Sequence, residues 1–335
     1  MNTSELFRKV GLNPADYDDL HVSRMMHAFV AVSHGEVVKV TEPLLEYCPL
    51  VDFLYDRRAA GDREELKQQI AEMTREKIAK FGHFTERREL RRDDIAVPYG
   101  ASEMMMFAMR RGLFDCAVVV CDGAGTVIVD RADVVQGVGA RMNGLFHTTP
   151  IPAVIRWLEE HGCVVPFAET GTIDQVAGVR RAAELGHRNI VVTVNGYLGG
   201  GLAEARAVER EHGATVTVVV VCTTGAGRGR VREVRDHADA VWSCASAGVR
   251  EVVGPASRIQ VSTAIPVFAV TERGVRFLAS YSPDDEVFTA LDMSKQYLIA
   301  GNRRGTPVRM GNMNTFVTEC ALPVRSRREP RPLTE

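Results

Sequence analysis

Apolar runs of strand length alternate with amphipathic segments through the centre of the chain. The runs lie at 116–121, 189–194 and 215–221, and the segments with helical periodicity lie at 152–161, 173–185, 202–211 and 231–237. Strands that are apolar on both faces and alternate with helices are typical of a parallel sheet covered by helices on both faces. The pattern therefore predicts an α/β protein whose mainly parallel sheet lies within residues 113–285.

The first 112 residues have a less regular pattern, which predicts a smaller mixed α+β region. Apolar runs at 27–32 and 36–40, joined by Ser33-His34-Gly35, predict a hairpin. Residues 61–81 follow with helical periodicity and predict a long amphipathic helix. This region is expected to pack as a smaller layer against the central sheet.

Charged and polar segments connect and end these regions. Residues 87–94 are a run of charges, which we interpret as a solvated connection. Residues 286–335 are predicted to form a C-terminal extension. Its last part, 325–335, is rich in Arg and Pro, and this composition predicts a disordered tail.

Composition narrows the class of protein. The net charge of the 335 residues is −2, so no general electrostatic attraction to nucleic acid or to anionic membranes is expected. No apolar run reaches the roughly 18 residues of a membrane helix, and the first residues lack the features of a signal peptide. Seven cysteines without a C-x-x-C pair are typical of reduced thiols and give no zinc-site spacing. We expect a cytoplasmic homo-oligomer without a metal ion that acts on a small anionic molecule.

The most informative motif follows the first central strand. Cys121-Asp122-Gly123-Ala124-Gly125-Thr126 places a thiol, a carboxylate and two glycines directly after an apolar run. Ligands of open α/β sheets bind at the carboxyl ends of strands, where glycines let the backbone approach them. The motif predicts Cys121 and Asp122 as catalytic residues and Gly123, Gly125 and Thr126 as substrate contacts. A glycine-rich turn with a buried cysteine is the alternative.

A second strand ends in a similar way, with Cys222-Thr223-Thr224-Gly225 at the end of an apolar run. Backbone N–H groups at the start of the following helix are suited to an anionic group. The segment is not a dinucleotide motif, because Arg230 occupies the last glycine position of G-x-G-x-x-G. We predict Cys222 as a catalytic residue and Thr224 and Gly225 as substrate contacts, with a flexible surface loop as the alternative.

A polar, glycine-rich segment at 136–144 lies between these two motifs. It carries one arginine, and a guanidinium group binds a carboxylate or a sulfonate in bidentate fashion. We therefore predict Arg141 as the cation that holds the substrate. Gly137 and Gly139, in the same loop, are predicted to contact the substrate as well.

The residues 147–149 supply the last candidates. His147 is suited to proton exchange near neutral pH, although a structural role is the alternative. Thr148 and Thr149 lead into the next predicted helix, where a hydroxyl caps the helix or contacts the substrate. A third strand-end thiol, Cys244, is interpreted as part of the core, because free cysteines are among the most buried residues.

Several short stretches together resemble the methanogenesis marker protein 8 family, also called DUF2099. They span about residues 25–280 and comprise Tyr47-Cys48-Pro49-Leu50, Cys121 to Ile128, Gln136-Gly137, Thr148 to Pro152, Ile173-Asp174-Gln175, Thr223-Thr224-Gly225, Cys244-Ala245-Ser246 and Pro266 to Thr271. Family members carry a cysteine in the segment aligned with Gly82-His83-Phe84-Thr85, and this chain has none there. The resemblance therefore gives no support to a metal cluster that needs that thiol.

The resemblance implies organosulfur chemistry, because the family occurs in organisms that use coenzyme M. We expect a cofactor-free lyase that decarboxylates a small sulfonate–carboxylate such as sulfoacrylate. Cys121 and Cys222 also resemble the paired thiols of the aspartate/glutamate racemase and arylmalonate decarboxylase superfamily, in which a cysteine delivers a proton to carbon. Asp122-Gly123 stands where that superfamily has Asn-Thr.

Two other functions stay open at this point. Asp122-Gly123-Ala124-Gly125-Thr126 resembles the D-x-A-G-T motif of phosphonatase-like haloacid dehalogenases, which implies Asp122 as a nucleophile and as a ligand of Mg²⁺. Only Lys295 follows the motif to serve as the lysine of that family. The other alternative is a non-catalytic binding or assembly protein for a small sulfur ligand, which would use the same pocket without a reactive thiol.

Overall fold

The computed structural model describes residues 2–55, 62–198, 200–327 and 329–332. Its helices are α1 (Thr3–Val10), α2 (Pro49–Tyr55), α3 (Arg63–Phe81), α4 (Ala101–Arg110), α5 (Ala132–Gly139), α6 (Pro152–Glu160), α7 (Gln175–Glu184), α8 (Leu202–His212), α9 (Arg228–His237), α10 (Ala247–Val252), α11 (Glu272–Ala279) and α12 (Asp285–Thr289). Its strands are β1 (His21–Met25), β2 (Ala28–Ser33), β3 (Glu36–Val40), β4 (Leu45–Tyr47), β5 (Cys116–Cys121), β6 (Gly125–Val129), β7 (Gly144–Thr148), β8 (Asn189–Asn195), β9 (Thr215–Val221), β10 (Ala240–Trp242), β11 (Ile259–Val261), β12 (Val267–Ala269), β13 (Tyr297–Ala300), β14 (Thr306–Met310), β15 (Met313–Glu319) and β16 (Arg331–Pro332).

The N-terminal region contains a four-stranded antiparallel sheet in the order β3-β2-β1-β7. The predicted hairpin is confirmed as β2 and β3. The long helix α3 packs on this sheet through Leu66, Ile70 and Met73, which repeat at helical spacing. β7 comes from the centre of the chain, so its residues His147 and Thr148 belong to the small sheet and not to the large one.

The central region forms a ten-stranded sheet in the order β14-β15-β13-β11-β12-β10-β9-β8-β5-β6. The three predicted central strands are confirmed as β5, β8 and β9, which lie parallel to one another and to β10. Helices cover both faces of the sheet. Along β5, Val119 faces the apolar cluster of α4, α5, α6 and α11, and Val118 faces the cluster of α7 to α10.

The predicted α/β class is confirmed, but the large sheet is mixed and not mainly parallel. Five of its nine neighbouring strand pairs are antiparallel. One reason lies in the motif after β5, because Gly123 has a φ of 80°, a conformation that favours glycine. The chain therefore turns directly back into β6 as a hairpin, and no crossover helix follows β5.

The residues after 285 continue the large sheet. β13 pairs with β11, and β14 and β15 add two further antiparallel strands. In the predicted disordered tail, Arg331–Pro332 pairs with Leu45–Tyr47 of the N-terminal region, and residues 328 and 333–335 lie outside the described residues. The predicted division into three regions, the homo-oligomer and the cytoplasmic location stay predictions. None of the described helices is both long enough and apolar enough to cross a membrane.

Candidate functional site

A cavity of about 430 Å³ lies at the carboxyl ends of the parallel strands β5, β8, β9 and β10. Val120, Asn195, Cys222 and Trp242 line it from these four strand ends, and the helix α2 borders it with Phe53. The lining is mostly apolar, with a few polar groups among it. Ligands of α/β sheets bind at this edge, so the cavity is the candidate site.

Two cysteine side chains line the cavity from neighbouring parallel strands. Cys222 directly follows β9, and Cys244 lies two residues beyond the end of β10. The loops after the two strands are joined, since the backbone N–H of Ala245 donates to Thr224 Oγ1 at 3.0 Å. The strand register thus brings two thiols to one cavity. Cys244, interpreted from the sequence as a core residue, does pack against the apolar cluster of the sheet, and it also lines the cavity.

Backbone strain is concentrated at this cavity. Ten non-glycine residues among those described have a left-handed backbone conformation, and five of the ten line the cavity: Tyr99, Arg141, Cys222, Cys244 and Ser262. Each such conformation costs on the order of 1 kcal/mol. Strain of this kind collects at ligand and active sites, where the surrounding structure holds a side chain in a required place.

The Cys222 thiol lies beside β7 and near a buried cation. The backbone N–H of Gly144 donates to its sulfur, and a Cβ atom at Gly144 would lie 3.0 Å from Sγ. Burial raises the pKa of Cys222 to about 12, and the Cys244 thiol adds to the rise, whereas Arg24 and the Gly144 N–H lower it. The resting sulfur is therefore protonated, and two groups are placed to stabilise it when it ionises.

Arg24 on β1 is fixed beside the two thiols. Its Nη2 donates to the carbonyl oxygens of Cys222 at 3.3 Å and of Thr224 at 2.9 Å. The guanidinium carbon lies 4.2 Å from the ring centroid of Tyr197 and 5.4 Å from that of Phe146. Its Nη1 is buried and has no hydrogen-bond partner in the part of the chain described. Aromatic rings and carbonyl groups thus hold this cation where a carboxylate would otherwise be expected.

A second cation lines the cavity directly. Arg141 follows α5, and its guanidinium carbon lies 4.8 Å from the ring centroid of Phe81. Within the described ranges, no hydrogen bond or ion pair to this guanidinium is found, and its buried Nε has no partner. Asn143, two residues further on, also lines the cavity, and its Oδ1 accepts a hydrogen bond from Lys77 Nζ at 2.9 Å. The charge of Arg141 also lowers the pKa of Asp94, so this guanidinium is near one carboxylate without forming an ion pair with it among the described residues.

Cys121 and Asp122 lie outside this cavity, in a closed ion-pair site. Burial, with a contribution from Asp122, raises the pKa of the fully buried Cys121 thiol well above its ordinary value. Asp122 Oδ1 accepts from Arg88 Nε at 2.9 Å, and Oδ2 accepts from the backbone N–H of Phe84 at 2.6 Å. Although burial opposes it, Arg88 holds the pKa of Asp122 well below its usual range. We therefore assign no catalytic role to Cys121 or Asp122, the two residues predicted from the first motif.

The interpretation of 87–94 as a solvated connection is wrong at Arg88. Its side chain is 1% exposed, and its Nη2 donates to the carbonyl oxygens of Gly137 and Val138 at 3.1 and 3.0 Å. The physical reason is Asp122, because a buried carboxylate requires a cation and further hydrogen bonds. The neighbouring Arg91 does remain half exposed.

The predicted substrate contacts of the first motif serve the hairpin turn. The Gly123 N–H donates to Thr148 Oγ1 at 2.7 Å, and Gly125 begins β6. The Thr126 hydroxyl donates to Gln175 Oε1 at 2.9 Å. The side chains of Thr126 and Thr148 are therefore committed to hydrogen bonds within the protein, and neither residue lines the cavity.

His147 and Thr149 also lie away from the cavity. His147, on the small sheet, packs edge-on against Phe7 with ring centroids 5.1 Å apart, and burial lowers its pKa. Thr149 Oγ1 accepts from the backbone N–H of Leu20 at 2.9 Å. These contacts agree with the structural alternative for His147.

The glycine-rich segment at 136–144 begins as a helix and not as a loop. α5 includes Gly137, which packs closely on the main chain of Leu90, and ends at Gly139, which lines the cavity. In the second motif, Thr224 joins the two strand-end loops, and Gly225, with a φ of 81°, packs against His27. Of the predicted site residues, the structure thus brings Cys222, Gly139 and Arg141 together at the cavity.

Within the described residues, no group of three or more His, Cys, Asp or Glu side chains is placed to hold a metal ion. Both oxygens of Asp122, the predicted alternative ligand of Mg²⁺, accept hydrogen bonds from Arg88 and Phe84. A cation at this carboxylate would have to displace the Arg88 guanidinium. The arrangement of donors around Asp122 therefore does not fit Mg²⁺.

Comparison with known proteins gives the family. Residues 21–281 match the family model described as "Uncharacterized protein conserved in archaea (DUF2099)". The chain is 34% identical over 276 residues to "Uncharacterized protein MJ0054" of Methanocaldococcus jannaschii, and the match covers 82% of this chain and 95% of that relative. No solved structure matches the chain. The matched range includes Arg141, Cys222 and Cys244, and the predicted family is confirmed: the chain belongs to the DUF2099 family.

Proposed function

We propose that the protein is a small-molecule enzyme of organosulfur metabolism whose site is the cavity lined by Cys222, Cys244 and Arg141. One observation carries the proposal: two thiols in strained backbone conformations share a largely apolar cavity with Arg141, whose guanidinium has no hydrogen-bond or ion-pair partner in the described part of the chain. Thiols are among the side chains that form covalent intermediates with carbon, and the nearby Arg24 and Gly144 N–H favour the thiolate.

The lining of the cavity favours a small substrate with an apolar body and an anionic end. The apolar walls suit carbon atoms, and the guanidinium of Arg141 suits a carboxylate or a sulfonate. The protein family occurs in organisms that use coenzyme M, and this favours a sulfonate as the anionic group of the substrate. We therefore retain sulfoacrylate as the substrate to test and a cofactor-free decarboxylation as the reaction.

In the proposed reaction, the S–H of Cys222 adds across the carbon–carbon double bond of sulfoacrylate. The sulfur bonds to the carbon that bears the sulfonate, and Cys244 carries the proton to the carbon next to the carboxylate. The carbon–carbon bond to the carboxylate then breaks and releases CO₂. The electron pair of this bond re-forms the double bond, and the bond between carbon and Cys222 Sγ breaks to return the Cys222 thiolate. The thiolate takes a proton from water, so one proton is consumed for each CO₂ and ethenesulfonate is left.

The two alternatives differ in their support. A phosphonatase-like hydrolase needs Asp122 as a free nucleophile, whereas this carboxylate is fully buried and paired with Arg88, so we do not propose it. A binding protein for a small sulfur ligand is favoured by one observation, the pKa of about 12 that keeps Cys222 protonated at neutral pH. The experiment below therefore has to distinguish a binding protein from an enzyme.

Incubation of the purified protein with sulfoacrylate is expected to give ethenesulfonate and CO₂ in equal amounts. Proton NMR follows the vinyl product, and a CO₂ electrode follows the gas. Saturable binding of sulfoacrylate without product would favour the binding protein. Neither binding nor product at millimolar sulfoacrylate would contradict the proposed function.

A further inference from the structure

Lys77 is a buried lysine that forms no ion pair with a carboxylate among the residues that the structure describes. It lies on the apolar face of α3, and its side chain is 1% exposed. Its Nζ donates to Asn143 Oδ1 at 2.9 Å and to the carbonyl oxygen of Arg141 at 3.5 Å, and the described residues give it no ion pair. Lysine is almost never fully buried unless it is paired, because an unpaired buried charge is costly. Both of its hydrogen-bond partners belong to residues that line the cavity.

The ammonium group fixes the orientation of the Asn143 side chain. An ammonium has three donors and no acceptor, so it takes the Oδ1 end of the amide and leaves Nδ2 as a free donor. Asn143 lies two residues from Arg141, whose guanidinium has no hydrogen-bond or ion-pair partner within the described ranges. The segment 141–143 of the cavity wall therefore carries two hydrogen-bond donors, the Arg141 guanidinium and Asn143 Nδ2. The buried ammonium group of Lys77 lies next to Asn143.

We propose that Arg141, Asn143 and Lys77 form an anion subsite of the cavity. Arg141 and Asn143 Nδ2 donate to a sulfonate or carboxylate group, and Lys77 is a positioning residue that orients Asn143 and supplies charge from behind it. This inference rests on the proposed function in placing the substrate in the cavity. It adds which end of the cavity holds the anionic group, and it leaves Cys222 and Cys244 to the reacting carbon atoms.

The charge at this subsite is expected to change near pH 8. Burial lowers the pKa of Lys77 to about 8. Of the neighbouring charges, Asp122 raises this pKa and Arg88 lowers it. Asp122 and Arg88 neutralise each other as an ion pair, and burial, together with Arg88, lowers the pKa of the nearby His83 to about 3, so His83 is neutral. Lys77 is thus the group of this cluster that loses its charge as the pH rises from 7 to 9.5.

Binding of ethanesulfonate, measured by titration calorimetry at pH 7 and pH 9.5, tests the subsite. For the wild type we expect the Kd to rise about tenfold between the two pH values, because one nearby positive charge is lost. Lys77→Met should bind about tenfold more weakly at pH 7 and show no further loss at pH 9.5. Methionine fills a similar apolar volume, and the thermal midpoint of the variant checks that it is folded. Ethyl methyl sulfone, a neutral analogue, should show no pH dependence.

Two further variants complete the experiment. Asn143→Ala removes the donor but keeps Lys77, so its affinity at pH 7 should fall while the remaining affinity keeps a pH dependence. Lys80→Met, which removes an exposed lysine of the same helix, should behave as the wild type. A Lys77→Met protein with the wild-type pH dependence would assign that dependence to another group and would overturn the subsite.

The outcomes separate this inference from the proposed function. Cys222→Ser is expected to keep the pH-dependent binding of ethanesulfonate, because the anionic end does not depend on the thiol. Failure of turnover with sulfoacrylate would thus contradict the reaction and leave the subsite in place. The subsite would be overturned, whatever the turnover, if the wild type bound no ethanesulfonate at concentrations up to about 50 mM. A Kd above that concentration corresponds to less than about 2 kcal/mol of binding free energy.

Discussion

Replacing Cys222 with serine is expected to lower the turnover of sulfoacrylate at least a hundredfold, by about 3 kcal/mol in activation free energy. A serine hydroxyl at this position ionises far less readily than a thiol, and the proposed reaction needs a carbon–sulfur bond. Cys244→Ser should cost less, about tenfold, because proton transfer contributes less than the nucleophile and water can replace it. Steady-state kinetics with NMR detection of ethenesulfonate measures both effects.

Cys121→Ser is the matched control for this experiment. Cys121 also ends a strand, but its Sγ donates to the carbonyl oxygen of Asp122 at 3.3 Å within the core, and a hydroxyl can make the same hydrogen bond. We expect turnover within about threefold of the wild type for this variant. Full activity of Cys222→Ser, or a large loss in Cys121→Ser with an unchanged thermal midpoint, would move the chemistry back to the first motif.

Replacing Arg88 with methionine is expected to lower the free energy of unfolding by about 3–5 kcal/mol. The change leaves the fully buried Asp122 carboxylate without its cation and also removes the hydrogen bonds to Gly137 and Val138. Arg88→Met combined with Asp122→Leu should recover much of the loss, because no uncompensated charge then remains. Urea unfolding at pH 7 measures both proteins.

Arg91→Met supplies the control for the Arg88 variant. Arg91 Nε lies 2.8 Å from Asp133 Oδ2, but this arginine is half exposed, so its loss should cost less than about 1 kcal/mol. The pH dependence gives a further check. The folded pKa of Asp122 is depressed, so its stabilising contribution is present above pH 4 and is lost as the pH falls towards the folded pKa. Equal losses in Arg88→Met and Arg91→Met would contradict the buried ion pair.

Strands and helices could be predicted from the sequence where the pattern is periodic. The β2–β3 hairpin and the three central strands followed from apolar runs, since a strand buried on both faces leaves a continuous apolar signature. The strands at the two edges of the large sheet could not be predicted from apolar runs in this way. β6 was not predicted because it begins at the glycines of a turn, and β13 to β15 were not predicted because edge strands depend on their neighbours more than on their own pattern.

The site was predicted only in part, because it depends on which strands become neighbours. The thiol of Cys222 and the cation of Arg141 were found from strand ends and composition. Cys244 carried the same strand-end signal, but its value depends on the pairing of β9 with β10, which the sequence does not state. Lys77 was missed although it continues the apolar series of Leu66, Ile70 and Met73 on one helix face, and a lysine in such a series is a usable signal.

Alkylation of the folded protein by iodoacetamide, mapped by peptide mass spectrometry, tests the central claim that the cavity is the functional site. We expect both Cys222 and Cys244 to be modified in the folded protein, Cys222 slowly at pH 7 and faster at pH 9.5, because burial raises the pKa of Cys222 to about 12 and the thiolate is the reactive form. Ethanesulfonate at saturating concentration should slow both modifications about fivefold or more, while Cys121 stays unmodified until the protein unfolds. Modification of Cys121 ahead of Cys222 in the folded protein, or no protection of either cavity thiol by ethanesulfonate, would contradict the account.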